Sequence, residues 1–175
     1  MSLRALKINT VIMGRRRDRR RAITLIECVI ALTILPLAVS AIAYSVVSGQ
    51  MDAAEALRQE RGAALAEALM EEILALPYND PQGSTALGPD SGETSRSLYD
   101  NMDDFNGFSE SAGSLKNASG TLYPTQYQKF SRSVTCAYTT QTLLGDVASG
   151  LQITVTVSDK KGKVVTLIRF VPVPS

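Results

Sequence analysis

The apolar positions of the chain change their spacing three times, and each change marks a different element. From Ile23 to Val47, ITLIECVIALTILPLAVSAIAYSVV, they crowd every face of a notional helix, whereas the core helix of a soluble protein keeps a polar side. From Ser48 to Leu76 they thin to a stripe. Ala54, Leu57, Ala64, Leu65, Ala68, Leu69, Ile73 and Leu76 recur at helical spacing, and Asp52, Glu55, Glu67 and Glu71 supply the water-facing side. Arg61 interrupts this stripe, Gly49 is a soft point, and Pro77 supplies the stop. Periodicity then disappears from Tyr78 to Gln128, a stretch rich in Gly, Ser, Asn, Asp and Pro that is longer than most connections inside a domain. It returns as alternation of apolar with polar residues over Lys129–Thr140 and Leu151–Ser158, followed by a β-rich run over Val164–Val171. Asp159-Lys160-Lys161-Gly162-Lys163 joins the last two as a hairpin.

Three antiparallel strands with one apolar face need a cover, and the striped helix provides it. The expected architecture is α+β: a long N-terminal helix, transmembrane in its first half and amphipathic in its second, packed on a small antiparallel sheet. The expected organisation is a leader over 1–22, a span over 23–47, an amphipathic helix over 48–76 and a head over 77–175. Within that head lie an acidic loop (78–128) and the sheet (129–171).

The stretch 23–47 exceeds the roughly 20 residues that a helix rising ~1.5 Å per residue needs to cross a bilayer. Its Ile, Leu and Val side chains each favour insertion by about 0.3 to 0.6 kcal/mol, and together they outweigh the ~3 kcal/mol cost of a mid-bilayer carboxylate. Insertion therefore wins despite Glu27, which sits near the basic boundary where its penalty is smaller. Pro36 removes one helical hydrogen bond, a change membrane helices tolerate. Charge separates the two ends sharply. Arg4, Lys7, Arg15, Arg16, Arg17, Arg19, Arg20 and Arg21, eight basic residues against Asp18 alone, give the leader a charge of +7; the total is +1, which leaves −6 for the rest. A basic cluster abutting an apolar run places that end on the cytoplasmic side of a membrane.

The residues R-R-A-I-T-L-I-E-C-V-I-A-L carry a more specific pattern. This segment resembles the N-terminal signal of type IV pilins and of type II secretion pseudopilins: a basic leader, a small residue, a T-L-I-E-type motif and an apolar helix. The resemblance implies cleavage by prepilin peptidase between Ala22 and Ile23 and methylation of the new amino terminus. Glu27 then lies four residues beyond that terminus, as an assembly residue. Ala22 and Ile23 stand where the family usually has Gly and often Phe. The implied function is that of a minor pilin or pseudopilin, a structural filament subunit and not an enzyme. The implied partners are the peptidase, other pilin or pseudopilin subunits, an inner-membrane assembly platform and the bilayer itself. The implied location is the inner membrane, single-pass, with the N-terminus cytoplasmic and the head periplasmic, and then a filament. Two alternatives remain open: a secreted globular protein released after Ala43, because Ala41-Ile42-Ala43 satisfies the small-x-small rule, and an unprocessed single-span envelope protein.

Candidate chemistry changes this picture little. The sequence has no histidine, so Ser-His-Asp, Cys-His and imidazole-metal sites are excluded. Cys28 in the span and Cys136 in a predicted strand are too far apart for a disulfide and read as apolar thiols. No cofactor is expected; calcium is the one candidate, set against a plain solvated acidic turn. In Tyr99-Asp100-Asn101-Met102-Asp103-Asp104-Phe105-Asn106-Gly107, the oxygen ligands of Asp100, Asp103, Asp104 and Asn106 form a candidate loop without the EF-hand spacing. Together with Met70 to Tyr78, this run is similar to the envelope pilin-like proteins of planctomycete-type bacteria. Nothing in the sequence points to nucleic acid.

Overall fold

The computed structural model describes residues 24–143 and 146–174, without the side chain of Leu143. The chain divides between Val47 and Ser48 into two compact units. One helix, α1 (Leu25–Leu74), contributes to both.

In the first unit every described residue is exposed, and its apolar segment is long enough and apolar enough, by length and composition, to cross a membrane. Pro36 lies inside α1 without ending it. The hydroxyl of Ser40 donates to the Pro36 carbonyl at 2.7 Å and that of Thr33 to the Ile30 carbonyl at 2.8 Å. Both polar groups are therefore satisfied within the helix, as an apolar surrounding requires.

The second unit is the head, where the C-terminal part of α1 packs on a four-stranded antiparallel sheet. Its strands are β1 (Ser109–Glu110), β2 (Ser131–Leu143), β3 (Asp146–Asp159) and β4 (Gly162–Pro172), in the spatial order β1-β2-β3-β4. The arrangement is α+β and consistent with a pilin-like fold. Period-2 alternation is clearest in β3, where Leu151, Ile153, Val155 and Val157 are all buried. They meet Leu65, Ala66, Leu69, Met70 and Ile73 of α1.

The helical face differs from the expected stripe in detail. Gly62, Leu65, Ala66, Leu69, Met70 and Ile73 are buried, while Ala54, Leu57 and Ala64 are exposed. Gly62 explains the rotation: a Cβ there would lie 2.6 Å from Val164 Cγ1, so the glycine brings the helix backbone close to β4 and turns its own side of the helix inward. Gly49 leaves α1 unbroken, and the helix ends at Leu74, two residues short of the expected end.

The greatest departure lies between 78 and 128. Two short 3₁₀ turns (Arg96–Leu98 and Asp103–Phe105) and the strand β1 form there, and Met102, Phe105 and Leu115 enter the core. Beyond β1 the outer edge of β2 is also occupied. Val134 N–H donates to the Phe108 carbonyl at 2.9 Å, Gly107 N–H donates to the Val134 carbonyl at 3.1 Å, and the Asn106 side chain accepts from Cys136 N–H at 3.0 Å. The segment is therefore part of the head's architecture and covers an edge that would otherwise expose unpaired backbone groups.

Candidate functional site

Glu27 occupies the first turn of α1 and is exposed. Thr24 precedes that turn. Its carbonyl accepts from the amides of Glu27 at 3.0 Å and Cys28 at 3.2 Å, and its hydroxyl accepts from Glu27 N–H at 3.3 Å. These bonds satisfy donors that a helix start leaves open. The Glu27 carboxylate itself has no hydrogen-bond or ion-pair partner among the described residues. A negative charge here is favoured by the helix dipole, and along the same side lie Ile30, Ala31 and Ile34. The arrangement presents one bare carboxylate on an apolar stripe. Ala22 and Ile23, the expected processing site, lie outside the described residues. Cys28 is exposed and Cys136 buried, and both are free thiols.

The acidic run folds around its own backbone. Asn101 Oδ1 accepts from the amides of Asp103 and Asp104 at 2.9 and 3.1 Å, and Asp104 Oδ2 accepts from those of Asp100 and Asn101 at 2.9 and 3.1 Å. The four expected calcium ligands take different positions. Asp100 and Asp104 come together with Glu93, one oxygen from each lying within 4.8 Å of the others. Asp103 faces the sheet instead, where it accepts from the Tyr138 hydroxyl at 2.7 Å, and Asn106 is used on Cys136. Glu93 carries no signal in the sequence because seven positions and a 3₁₀ turn separate it from Asp100, and no local spacing marks their approach.

Electrostatics in this region disfavour negative charge. Burial raises the pKa of Asp103, and Asp104 and Asp80 add to the rise against the opposing Tyr138 hydrogen bond. The Asp90 amide draws Glu93 downward, but burial and the charges of Asp104 and Asp100 outweigh it, so its pKa is raised as well. Asp90 is raised chiefly through its contact with Asp80. Burial, with Asp103 and Asp104 nearby, pushes the Cys136 thiol up to about 12, so it is inert as a nucleophile near neutral pH. Asp100 Oδ1 and Asp103 Oδ1 are buried without a hydrogen-bond partner.

A second charged group was not anticipated. Arg132 is fully buried on β2 and pairs with Glu110 of β1; its guanidinium also donates to the Lys116 carbonyl at 2.7 Å and to the Leu65 carbonyl at 3.4 Å. Glu110 is shared with Arg96, which in turn holds Glu72 of α1. The chain Glu72–Arg96–Glu110–Arg132 thus connects helix, loop and sheet. Its sequence signal was the position of Arg132 in the core-facing register of Phe130, Val134 and Cys136.

No family model, curated protein or solved structure matches this chain.

Proposed function

We propose that this chain is a pilin-like structural subunit: an envelope protein held by its apolar helix, trimmed between Ala22 and Ile23 and assembled with similar subunits into a filament of the type IV pilus or type II secretion kind. The observation that carries the reading is Glu27, an exposed carboxylate without a partner among the described residues, in the first turn of an apolar helix and directly after the R-R-A-I-T-L-I motif. A carboxylate in an apolar surrounding persists most readily beside a positive charge. Hydrolysis of the Ala22–Ile23 peptide bond creates one, the amino group of Ile23, and a neighbouring subunit delivers it to Glu27. The α+β head supports the same reading, since a striped helix on an antiparallel sheet is what the resemblance implies. On this reading the leader is cytoplasmic, the head periplasmic, and the role that of a minor subunit working with a prepilin peptidase and an inner-membrane assembly platform.

The mature amino terminus tests the proposal. Mass spectrometry of the protein recovered from its native membrane is expected to find Ile23, methylated. Tyr44 would mean release after Ala43, a cut within what the structure shows as continuous helix, and Met1 would mean an unprocessed anchor; either result overturns the proposal.

A further inference from the structure

The head from Ser48 onward carries fifteen carboxylates against ten basic residues, yet one end of it is basic. At the β3–β4 turn, Lys160 and Lys161 come against the first turns of the head's helix, where with Lys129, Asp159, Met51, Ala54, Glu55 and Arg58 they line an open cleft of about 370 Å³. Lys163 is exposed just beyond the turn. The carboxylates at this end are largely neutralised. Arg58 donates to Asp159 at 2.7 and 3.0 Å and to Glu55 at 2.7 Å. Five cations therefore face two carboxylates, and counting the exposed Asp52 still leaves an excess of two. Lys129, Lys160, Lys161 and Lys163 are all exposed and make no salt bridge among the described residues.

The position of this end along the chain identifies what it meets. The apolar run stops at Val47, four residues before Met51. Four residues rise ~6 Å as helix and cannot exceed ~14 Å even fully extended. The polar headgroup layer on each side of a bilayer is itself roughly 5 to 8 Å deep. Wherever the run enters the bilayer, Met51 and the lysines beside it are held at or just above the headgroups. We infer that the Lys129–Lys160–Lys161–Lys163 surface binds the phosphates of anionic lipids, clamping the head onto the membrane surface while the subunit is membrane-held. The inference rests on the membrane reading of α1 and adds a second, electrostatic contact to it. Clustered lysines next to a span gain from anionic headgroups within a screening length, and the Arg58–Asp159 pair fixes the turn that presents two of them. An acidic patch on a second copy would also attract these lysines, but nothing tethers such a patch within reach as the apolar run tethers the bilayer.

The test uses the full chain in lipid nanodiscs, either of phosphatidylcholine alone or with roughly 30% phosphatidylglycerol, and reads lysine acetylation residue by residue by mass spectrometry. Pairing with phosphate lowers the nucleophilicity of an amine. Lys160, Lys161 and Lys163 are expected to react several-fold to about tenfold more slowly with the anionic lipid, and to recover at about 0.5 M salt, where the screening length falls to a few ångströms. Equal rates in the two lipids overturn the inference while leaving the membrane reading intact. Protection that follows protein density and not lipid charge assigns the surface to a second copy and also overturns it. If the chain fails to co-elute with the discs, the membrane reading fails and the inference falls with it, a result distinct from the other two.

Discussion

Gly62 of α1 and Val164 of β4 stand so close that a methyl group on the glycine would lie 2.6 Å from Val164 Cγ1 and 3.3 Å from its Cβ. In an open helix, Gly→Ala gains about 1 kcal/mol of propensity. Here the new methyl meets a stiff β-branched side chain, and overpacking of this kind costs about 1 to 3 kcal/mol. Gly62→Ala is therefore expected to lower the urea midpoint of a head fragment (residues 48–175), and Val164→Ala in the same molecule to recover part of the loss through a favourable coupling. A stabilising Gly62→Ala would show that the helix does not approach β4 so closely.

Burial of Arg132 makes the head depend on Glu110 more than an ion pair normally warrants. Removing one partner of a buried pair leaves an unpaired charge and costs about 3 to 5 kcal/mol, whereas replacing the pair by apolar groups is often neutral. Glu110→Ala is expected to destabilise strongly, and Glu110→Ala with Arg132→Met less than Glu110→Ala alone. Denaturant unfolding of the three proteins decides the point, and equal losses would mean that Arg132 finds compensation in the Leu65 and Lys116 carbonyls alone.

Much of this fold was legible because most of its core is periodic. The three long strands, their hairpin and the covering helix follow from alternation and striping, and Leu65, Leu69 and Ile73 of the stripe are buried against the sheet. The helix face departs from the apolar stripe where a glycine counts as core: Ala64 and Leu57 lie on the stripe and are exposed, while Gly62 and Ala66 lie off it and are buried. β1 was invisible for a different reason. Two residues carry no period, and what holds Ser109 and Glu110 to the sheet is the register with Ser133 and Arg132, a long-range pairing. The same holds for the acidic group, because Glu93 reaches Asp104 only after the loop has folded.

Opposed pKa shifts predict a stability maximum at mildly acid pH. Asp90, Glu93 and Asp103 have raised values in the fold, so the stability linked to them is complete below their unfolded values and is lost as pH rises through the folded ones. Asp159 behaves oppositely: the Arg58 guanidinium holds it near 2, so its contribution exists above the unfolded value and vanishes as pH falls toward 2. As pH falls from neutral, urea midpoints of the head should rise until the unfolded carboxylate values of about 4 are reached, and fall again toward pH 2. Asp103→Asn, which can still accept from Tyr138, should raise the midpoint at pH 7 and flatten the neutral limb. A monotonic loss from pH 7 downward would contradict the assignment.

Calcium offers a separate check on the Glu93–Asp100–Asp104 group. Oxygen ligands within one small space suit a hard cation, and an ion that binds only the folded head raises its melting temperature in proportion to the logarithm of its concentration. At pH 7, millimolar calcium is expected to shift melting upward by several degrees, with Glu93→Gln and Asp100→Asn each reducing the shift. Asp103→Asn should preserve it, because Asp103 faces Tyr138. No shift in saturating calcium would leave the acidic turn with its backbone role alone.

Glu27 remains the residue whose setting physics makes most demanding. Desolvating a carboxylate and an ammonium offsets much of their attraction, so a Glu27–Ile23 pair between subunits governs register and admission into the filament more than it adds stability. Glu27→Gln keeps the size and removes the charge. Because the first turn is held by Thr24 through its carbonyl and hydroxyl, the substitution leaves the helix start intact, and insertion and cleavage at Ala22–Ile23 should proceed as in the parent. Co-assembly with partner subunits, read by crosslinking in the membrane, should drop at least about tenfold, as expected when an interfacial charge loses its partner. Glu27→Asp, charged but one methylene shorter, should recover part of the yield. Undiminished crosslinking by Glu27→Gln would remove the proposed role. A block in cleavage, seen as retention of residues 1–22, would move Glu27 from assembly to recognition by the peptidase.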